Sequence, residues 1–387
     1  MTLGSEREGR PVHAAGRRLP DNVTPAWAGA FASVPRSLFL PDLIWAHDMA
    51  TGTNRALARS VDGHAWSAAA EADVPVVTQW DDGTTEAPNP ISVPTSSASM
   101  PSLVASMLRD LDVDAGMRVL EIGTGTGWNA ALLAHRLGDR NVFSVEIDDE
   151  VAVRARAMLG VAGFAPTVVC GDGRLGWPAG APYDRIIATC GLRRIPYAWL
   201  EQARAGGVIL APWGTHYGHQ DALVRLSVAA DGTASGPFLA PVQFMKLRAH
   251  RLHPPRHPDF PGDAVESSTT VRPPLGDWEA FTFVAGLMLP GVTHLVHRRE
   301  DGVTVLWLYS LTDDSWAAVF YDEEAVWDVY QSGRRRLWGD LEAVHEWWLE
   351  QDAPEIDRFG LTVSAEQETA WLDEPGNELL SGREVDE

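Results

Sequence analysis

A short apolar strand followed at once by three spaced glycines constrains the fold of this sequence more than any other feature. Residues 118–122 are predicted to form a buried strand, the glycines at 123, 125 and 127 follow, and 129–137 has the apolar spacing of a helix. Glycines at such a junction allow a tight turn and bring backbone N–H groups close to a nucleotide-like ligand. The spacing is GxGxG rather than GxGxxG, which disfavours a pyrophosphate-bearing dinucleotide. S-adenosylmethionine, which lacks phosphates, is the favoured ligand.

Strand and helix patterns continue to alternate after this junction. Alternation of this kind is typical of βαβ units on a parallel sheet. The fold class predicted is therefore α/β, a Rossmann-like S-adenosylmethionine-dependent methyltransferase fold with an appended smaller α+β domain at the C-terminus. The predicted strands are 142–146, 166–170, 184–188 and 207–212, and the predicted helices are 151–159 and 197–203.

Two acidic residues follow later strands where a Rossmann-like fold binds its ligand. Glu146 closes the second strand at the spacing expected for a carboxylate that binds both ribose hydroxyls. Asp172 lies in Gly171-Asp172-Gly173-Arg174 after the third strand, where its carboxylate can accept a hydrogen bond from the adenine amino group. The predicted cofactor-binding residues are Glu121, Gly123, Thr124, Gly125, Thr126, Gly127, Glu146, Ile147, Asp172 and Gly173.

Length and composition indicate an ordinary folded protein with more than one domain. The chain has 387 residues, 45% of them hydrophobic and 22% charged. One hydrophobic core normally stops growing before this length. We expect a flexible segment at 1–22, a catalytic domain at 23–250 (an N-terminal cap at 23–98 and the Rossmann-like core at 99–250), a linker at 251–261, and an acidic, Trp-rich domain at 262–387. Helices are predicted in the last domain at 336–350 and 364–372.

The two cysteines, Cys170 and Cys190, are not arranged as metal ligands or as a disulfide framework. No metal is therefore expected. The N-terminal segment lacks the apolar stretch of a signal peptide, and no apolar run is long enough to span a membrane. We expect a cytoplasmic protein without membrane contact.

The net charge of −22 is concentrated near the C-terminus, where residues 311–387 hold 21 Asp and Glu against 5 Arg and no Lys. Such a surface repels phosphate backbones, so nucleic acid is not an expected partner. The charge is consistent with a solubilising surface and with a surface that attracts a basic partner, and the sequence leaves both open.

Several motifs together resemble the protein-L-isoaspartate (D-aspartate) O-methyltransferases over about residues 24–250. They include Val34-Pro35-Arg36, Ile91-Ser92-Val93-Pro94, the glycine segment and Gly171 to Arg174. The resemblance implies that Ser92 lies at the junction of cofactor and substrate carboxylate as the catalytic residue. By the same resemblance, the substrate would contact Ile91, Val93, Pro94 and Thr95. A turn or capping serine is the alternative for Ser92.

The chain departs from this family in two ways. His-Met usually follows the proline, whereas Thr95-Ser96 stands here, and the short family members give no counterpart for the C-terminal extension. The extension is similar to that of long homologues associated with ATP-grasp (graspetide) and related ribosomal peptide pathways. That resemblance implies methylation of an Asp side chain in a macrocyclic precursor peptide, whose ester then cyclises to an aspartimide (succinimide).

Two other functions stay open. One is repair of L-isoaspartyl residues in damaged proteins, and the other is a non-catalytic peptide-binding module. The partner in every case is a peptide or protein bearing Asp or isoaspartate, and S-adenosyl-L-homocysteine is the product of the catalysed reactions. The Trp-rich domain is expected either to dock a precursor peptide or to fill its own core with its aromatic residues.

Overall fold

The computed structural model describes residues 19–85, 88–89, 91–252, 255, 263–276 and 278–379. Most of residues 1–22, predicted as flexible, and most of residues 251–261, predicted as a linker, lie outside these described residues. The chain divides between Gly173 and Arg174 into two compact units, each of which is described separately. Over the described ranges, no helix combines the length and the apolar character that a membrane span requires.

The first unit contains a small antiparallel sheet and a parallel one. The antiparallel sheet has the strand order β2-β1-β3-β4, and β5, β6 and β7 lie side by side in parallel. Its strands are β1 Leu43–His47, β2 Asn54–Ala58, β3 Val76–Trp80, β4 Pro94–Ala98, β5 Val119–Ile122, β6 Val142–Glu146 and β7 Thr167–Cys170. Its helices are α1 Pro25–Ser33, α2 Gly63–Glu71, α3 Pro101–Leu111, α4 Trp128–Leu137 and α5 Asp149–Val161.

The parallel strands and helices of this unit confirm the predicted βαβ pattern. All four residues of β5 are buried, as a strand covered on both faces requires. The helix α5 is capped at its N-terminus by Asp148, whose side chain accepts a hydrogen bond from the backbone N–H of Val151. Local features of the sequence, such as the buried run of β5 and the capping Asp148 of α5, therefore determine where these strands and helices form.

The antiparallel sheet was not predicted, and a buried arginine ties its surroundings together. Arg36 has no exposed surface. A buried guanidinium requires several acceptors to offset its loss of hydration. Its acceptors are the backbone carbonyls of Ala69, Ala70, Ala72, Val74 and Ser99, at 2.8 to 3.2 Å. Arg36, a residue of the family motif, thus joins α2, the approach to β3 and the end of β4.

The second unit contains two sheets. In one, β8 and β9 are parallel and the order continues β9-β10-β11-β17-β18; the other is antiparallel with the order β12-β16-β15-β14-β13. Its strands are β8 Tyr183–Ala188, β9 Ala203–Trp213, β10 Asp221–Val228, β11 Ala234–Val242, β12 Val265–Thr269, β13 Val292–Arg298, β14 Thr304–Ser310, β15 Trp316–Tyr321, β16 Trp327–Ser332, β17 Phe359–Val363 and β18 Glu368–Leu372. Its helices are α6 Tyr197–Gln202, α7 Ala280–Met288 and α8 Leu337–Glu350.

Two expectations for the C-terminal part are corrected. The predicted helix at 364–372 is wrong, because Glu368–Leu372 is a strand whose residues pair with β17. In turn β17 pairs with β11, so residues 359–372 extend the sheet that begins at β8. The segment 262–387 is therefore not a self-contained domain in this structure. Helix-favouring residues in 364–372 misled the prediction, since strand pairing is set by residues distant in sequence.

Candidate cofactor site

The three glycines after β5 adopt backbone conformations that side chains rarely allow. Gly123, Gly125 and Gly127 have φ angles of 93°, 52° and 89°. The turn closes through a hydrogen bond from the Gly127 N–H to the carbonyl of Thr124 at 2.9 Å. These positive φ angles explain why glycine stands at each position.

Gly127 is also constrained by packing. A Cβ atom on it would lie 3.3 Å from the Cβ of Ala155 and 3.4 Å from Cγ of Leu159, both on α5. Contacts this short force the neighbouring atoms to move. The absence of a side chain therefore lets the start of α4 lie directly against α5.

Glu121 on β5 is fully buried and fixed by two neighbours. Asn129 on α4 donates to its Oε1 at 2.7 Å, and Ser144 on β6 donates to its Oε2. Burial raises the pKa of Glu121 to about 7, although both donors oppose the shift. Since both oxygens are engaged inside the unit, the structure gives Glu121 a supporting position beneath the glycine loop.

Glu146 ends β6 directly beside this loop. One of its oxygens accepts from the Gly125 N–H at 2.8 Å, and the other from the Asp148 N–H at 3.1 Å. Burial raises the pKa of Glu146 above its ordinary value, and these backbone donors oppose the rise. Each oxygen keeps a further lone pair, so two vicinal hydroxyls could still donate to the carboxylate.

The adjoining strand end brings the third predicted element to the same edge. The Gly171 N–H donates to the Glu146 carbonyl at 2.8 Å, and Asp172 and Gly173 follow. Asp172 is partly exposed and Gly173 is buried. Next to Glu146, the Ile147 side chain is 41% exposed, which suits it to cover an apolar ring. Predicted cofactor residues from three strand ends therefore lie along one edge of the parallel sheet.

The strand β4 forms a wall beside the glycine loop. A Cβ atom at Gly125 would lie 3.5 Å from the carbonyl oxygen of Ser97 and 3.9 Å from Oγ of Ser96. This strand begins at Pro94, the last residue of the Ile91 to Pro94 motif. The structure thus places β4, the strand that the predicted substrate-binding segment leads into, beside the predicted cofactor loop.

Ser92 itself lies in a turn before β4. Its hydroxyl accepts from the Asn89 N–H at 3.2 Å, and its own N–H donates to the Asn89 carbonyl at 3.0 Å. Ile91 and Val93 are 88% and 52% exposed. The contacts of Ser92 are those of a turn serine, and its catalytic role stays a prediction.

A polar network that the sequence analysis missed connects β4 to the cofactor edge. Thr95 donates to Oε1 of Gln79 at 2.9 Å, and Nε2 of Gln79 donates to Asp148 at 3.2 Å. Gln79 is only 6% exposed. Asp148 in turn holds Glu146 and caps α5. Since these residues are distant in sequence and form no motif, only the fold could identify the network.

The arrangement fits an adenosyl ligand. It offers backbone N–H groups, a buried carboxylate, a second carboxylate at the next strand end, and an exposed apolar side chain. Bound at this edge, S-adenosylmethionine would supply an electrophilic methyl group. The residues that would hold this ligand are the glycine loop, Glu146, Ile147 and Asp172. Glu121 would support the glycine loop from below.

Comparisons with known proteins agree with this geometry. Residues 78–251 match the model of the family described as protein-L-isoaspartate(D-aspartate) O-methyltransferase. A protein-L-isoaspartate O-methyltransferase of Anaeromyxobacter dehalogenans is 44% identical over 151 residues, which cover 38% of this chain and 71% of that relative. One of Thermococcus sibiricus is 39% identical over 145 residues, which cover 37% of this chain and 65% of the relative.

A solved structure extends the similarity beyond residue 251. It is a protein-L-isoaspartate O-methyltransferase with a TM-score of 0.51 and 21% identity, and the match covers 90% of this chain and 95% of that one. At this identity the likeness concerns the fold alone. It still corrects one expectation, because most of the C-terminal extension has a structural counterpart in a protein of that name.

The position of Glu146 predicts a specific loss of cofactor affinity. Glu146→Gln should weaken binding of S-adenosyl-L-homocysteine about tenfold to a hundredfold, because hydrogen bonds from hydroxyls to a charged acceptor are lost. Isothermal titration calorimetry measures this. The control is Asp149→Asn, an exposed carboxylate on α5. Equal affinity for Glu146→Gln and the wild type would contradict the assignment, and no binding to the wild type would favour a non-catalytic module.

The buried Glu121 predicts a pH-dependent contribution to stability. Between its ordinary pKa of 4.5 and its raised pKa of about 7, the folded chain retains a proton that the unfolded chain releases. The free energy of unfolding should therefore decrease as pH rises through this window. Glu121→Gln removes the titration, whereas Glu150→Gln changes an exposed carboxylate.

Thermal unfolding from about pH 5 to about pH 8 gives the comparison. The melting temperature of the wild type should fall relative to that of Glu121→Gln as pH increases. Glu150→Gln should follow the wild type. Parallel curves for the wild type and Glu121→Gln would contradict the raised pKa.

Proposed function

Since the chain belongs to the protein-L-isoaspartate(D-aspartate) O-methyltransferase family of S-adenosylmethionine-dependent carboxyl methyltransferases, we propose that it methylates the free carboxylate of L-isoaspartyl residues in proteins or peptides. The observation that carries the proposal is the Glu146 carboxylate beside the Gly125 N–H, at the end of β6. Family membership is direct support for isoaspartate as the substrate. The C-terminal extension gives weaker support for any other substrate.

The cofactor residues divide the recognition of S-adenosylmethionine. Glu146 would accept hydrogen bonds from the two ribose hydroxyls, because a carboxylate offers a matched pair of acceptor oxygens. Asp172 would accept a hydrogen bond from the adenine amino group, and Ile147 would cover the adenine ring. The glycine loop allows the rest of the S-adenosylmethionine molecule to approach the backbone closely. Glu121 maintains the direction of the loop without contacting the ligand.

The substrate carboxylate needs little chemical assistance. With a reference pKa near 4 it is ionised at neutral pH, so a general base is unnecessary. The protein mainly aligns the carboxylate oxygen with the methyl carbon and sulfur and excludes water. We propose that Ser92, with backbone N–H groups near β4, holds the carboxylate for this transfer.

A second candidate substrate is an Asp side chain in a ribosomal precursor peptide, with cyclisation of the ester to an aspartimide. The observation in its favour is the wall beside the glycine loop. Thr95 and Ser96 replace the His-Met typical of the family, and Thr95 is fixed by Gln79 and thereby linked to Asp148. A polar wall of this kind alters the surface against which the substrate residue lies. The C-terminal extension no longer favours this candidate, since a solved family structure includes most of it.

Twin peptides that differ only in one residue separate the two substrates. An end-blocked peptide with L-isoaspartate should acquire a base-labile methyl ester at least about tenfold faster than the same peptide with L-Asp. Radiolabelled methyl transfer measures the rate, and mass spectrometry identifies the ester or the imide. An Asn-containing peptide and Glu146→Gln serve as controls.

Each outcome decides between the proposals. Preference for isoaspartate supports the first candidate. Turnover of L-Asp that equals or exceeds turnover of isoaspartate overturns it and supports the second. If a cofactor-binding protein methylates neither peptide nor a macrocyclic Asp precursor, both are excluded.

A further inference from the structure

A carboxylate near the C-terminus is hydrogen-bonded to the part of the chain that matches the family. Glu368 is the first residue of β18, whereas the family match ends at residue 251. The backbone N–H of Ile195 donates a hydrogen bond to Oε1 of Glu368, and Nε1 of Trp213 donates one to Oε2 at 3.0 Å. All three residues belong to the second unit. One side chain of the C-terminal extension thus joins two segments of the family-matched region.

The two segments that Glu368 joins follow the parallel strands β8 and β9. Strand-like pairing continues past the end of β8, because the Leu192 N–H donates to the Pro212 carbonyl at 2.8 Å and the Gly214 N–H donates to the Leu192 carbonyl at 2.9 Å. In open α/β sheets, ligands bind outside the carboxyl ends of the parallel strands. Residues 191–196, here named the β8 loop, follow such an end.

The start of the β8 loop is fixed by a second carboxylate. Asp221 has no exposed surface and forms an ion pair with Lys246. A Cβ atom at Gly191 would lie only 2.6 Å from Oδ2 of Asp221, so the loop has no room for a side chain at this position. Asp221 therefore packs directly against the beginning of the loop, and Glu368 holds its far end.

The middle of the β8 loop is anchored but keeps an accessible side. Nε of Arg193 donates to the His250 carbonyl at 3.0 Å, and its Nη1 donates to the Thr215 carbonyl. Ile195 is only 1% exposed, whereas Arg194 between these two residues is exposed. A polypeptide can therefore reach Arg194 and the backbone beside it while the neighbouring residues stay in place.

The other partner of Glu368 is a buried tryptophan. Trp213 is in ring contact with Phe238 at 5.6 Å and with Phe283 at 6.3 Å. Its side chain is largely shielded from water. A buried indole N–H that lacks an acceptor is destabilising. Glu368 supplies this acceptor, and the same carboxylate thereby connects the end of β9 to the β8 loop.

We propose that Glu368 is a positioning residue for methyl transfer, which fixes the β8 loop and Trp213 in the arrangement that binds the carboxylate-bearing polypeptide substrate. The C-terminal extension then contributes to substrate binding through the hydrogen bonds of one side chain. A loop that is already ordered binds more tightly, because less conformational freedom is lost on binding. The identity of the substrate as an isoaspartyl peptide rests on the proposed function.

The test measures peptide binding and cofactor binding separately in the full-length protein. Fluorescence anisotropy gives the affinity for a labelled, end-blocked isoaspartyl peptide in the presence of S-adenosyl-L-homocysteine, and calorimetry gives the affinity for S-adenosyl-L-homocysteine itself. Glu368→Gln leaves one acceptor oxygen for two donors. The affinity for the peptide should fall about fivefold or more, because the loop is displaced. The affinity for S-adenosyl-L-homocysteine should stay within about twofold, since all predicted cofactor residues belong to the first unit.

Matched variants show whether the hydrogen bonds are responsible. Glu366→Gln makes the same chemical change at an exposed position two residues away and should leave the affinity for the peptide unchanged. Trp213→Phe removes the donor instead of the acceptor and should also weaken peptide binding. Because both changes break the same hydrogen bond, Glu368→Gln combined with Trp213→Phe should weaken it less than the product of the two single effects. If Glu368→Gln does not fold, Trp213→Phe provides the test.

Three results would overturn the role of Glu368: unchanged peptide affinity in the folded variants, an equal loss in Glu366→Gln, or an equal loss of affinity for S-adenosyl-L-homocysteine. A wild type that does not bind the peptide would overturn it as well. Failure of the proposed function is a different result. If the peptide binds in a Glu368-dependent way but is not methylated, the positioning role stands and the activity fails. If the peptide is methylated and no variant changes its affinity, only the positioning role fails.

Discussion

The fully buried carboxylate of Glu121 is the interaction on which the candidate site depends. It accepts from Asn129 on α4 and from Ser144 on β6, so a single group joins the strand before the glycine loop, the helix after it and the neighbouring strand. A carboxylate without these donors would be costly to bury. Because these three elements are fixed relative to one another, the direction of the glycine loop after β5 is also fixed. In this position the Gly125 N–H donates a hydrogen bond to the Glu146 carboxylate.

Polar contacts, rather than a hydrophobic core, connect the glycine loop to the rest of the candidate site. Glu146 holds the backbone of Gly125 and Asp148, Asp148 accepts from Gln79, and Gln79 accepts from Thr95. The predicted cofactor edge and the predicted substrate wall are therefore one hydrogen-bonded system. A change in the wall can alter the position of the Glu146 carboxylate, which we propose binds the ribose. This connection links Thr95, one of the two residues that differ from the family pattern after Pro94, to Glu146 through Gln79 and Asp148.

Local features of the sequence predicted the glycine turn and the ends of the parallel strands, whereas contacts between residues distant in sequence were not predicted. The glycine loop and Glu146 were identified because strand, turn and acid follow one another along the chain. The cofactor role of Glu121 stays a prediction, and what the sequence did not predict is that its carboxylate is fully buried and accepts hydrogen bonds from Asn129 and Ser144. Gln79 has no motif, and its role arises only when β3 approaches α5. The strand Glu368–Leu372 has helix-favouring residues, and its pairing with β17 overrides that preference.

The central claim is that the β5, β6 and β7 ends form an S-adenosylmethionine site with Glu146 as the ribose acceptor. A crystal structure of the protein with S-adenosyl-L-homocysteine tests it most directly. Both ribose hydroxyls should lie within hydrogen-bond distance of Glu146, about 2.5 to 3.0 Å, with the ligand against the glycine loop. An adenosyl group bound elsewhere, or one at this edge without contact to Glu146, would contradict it.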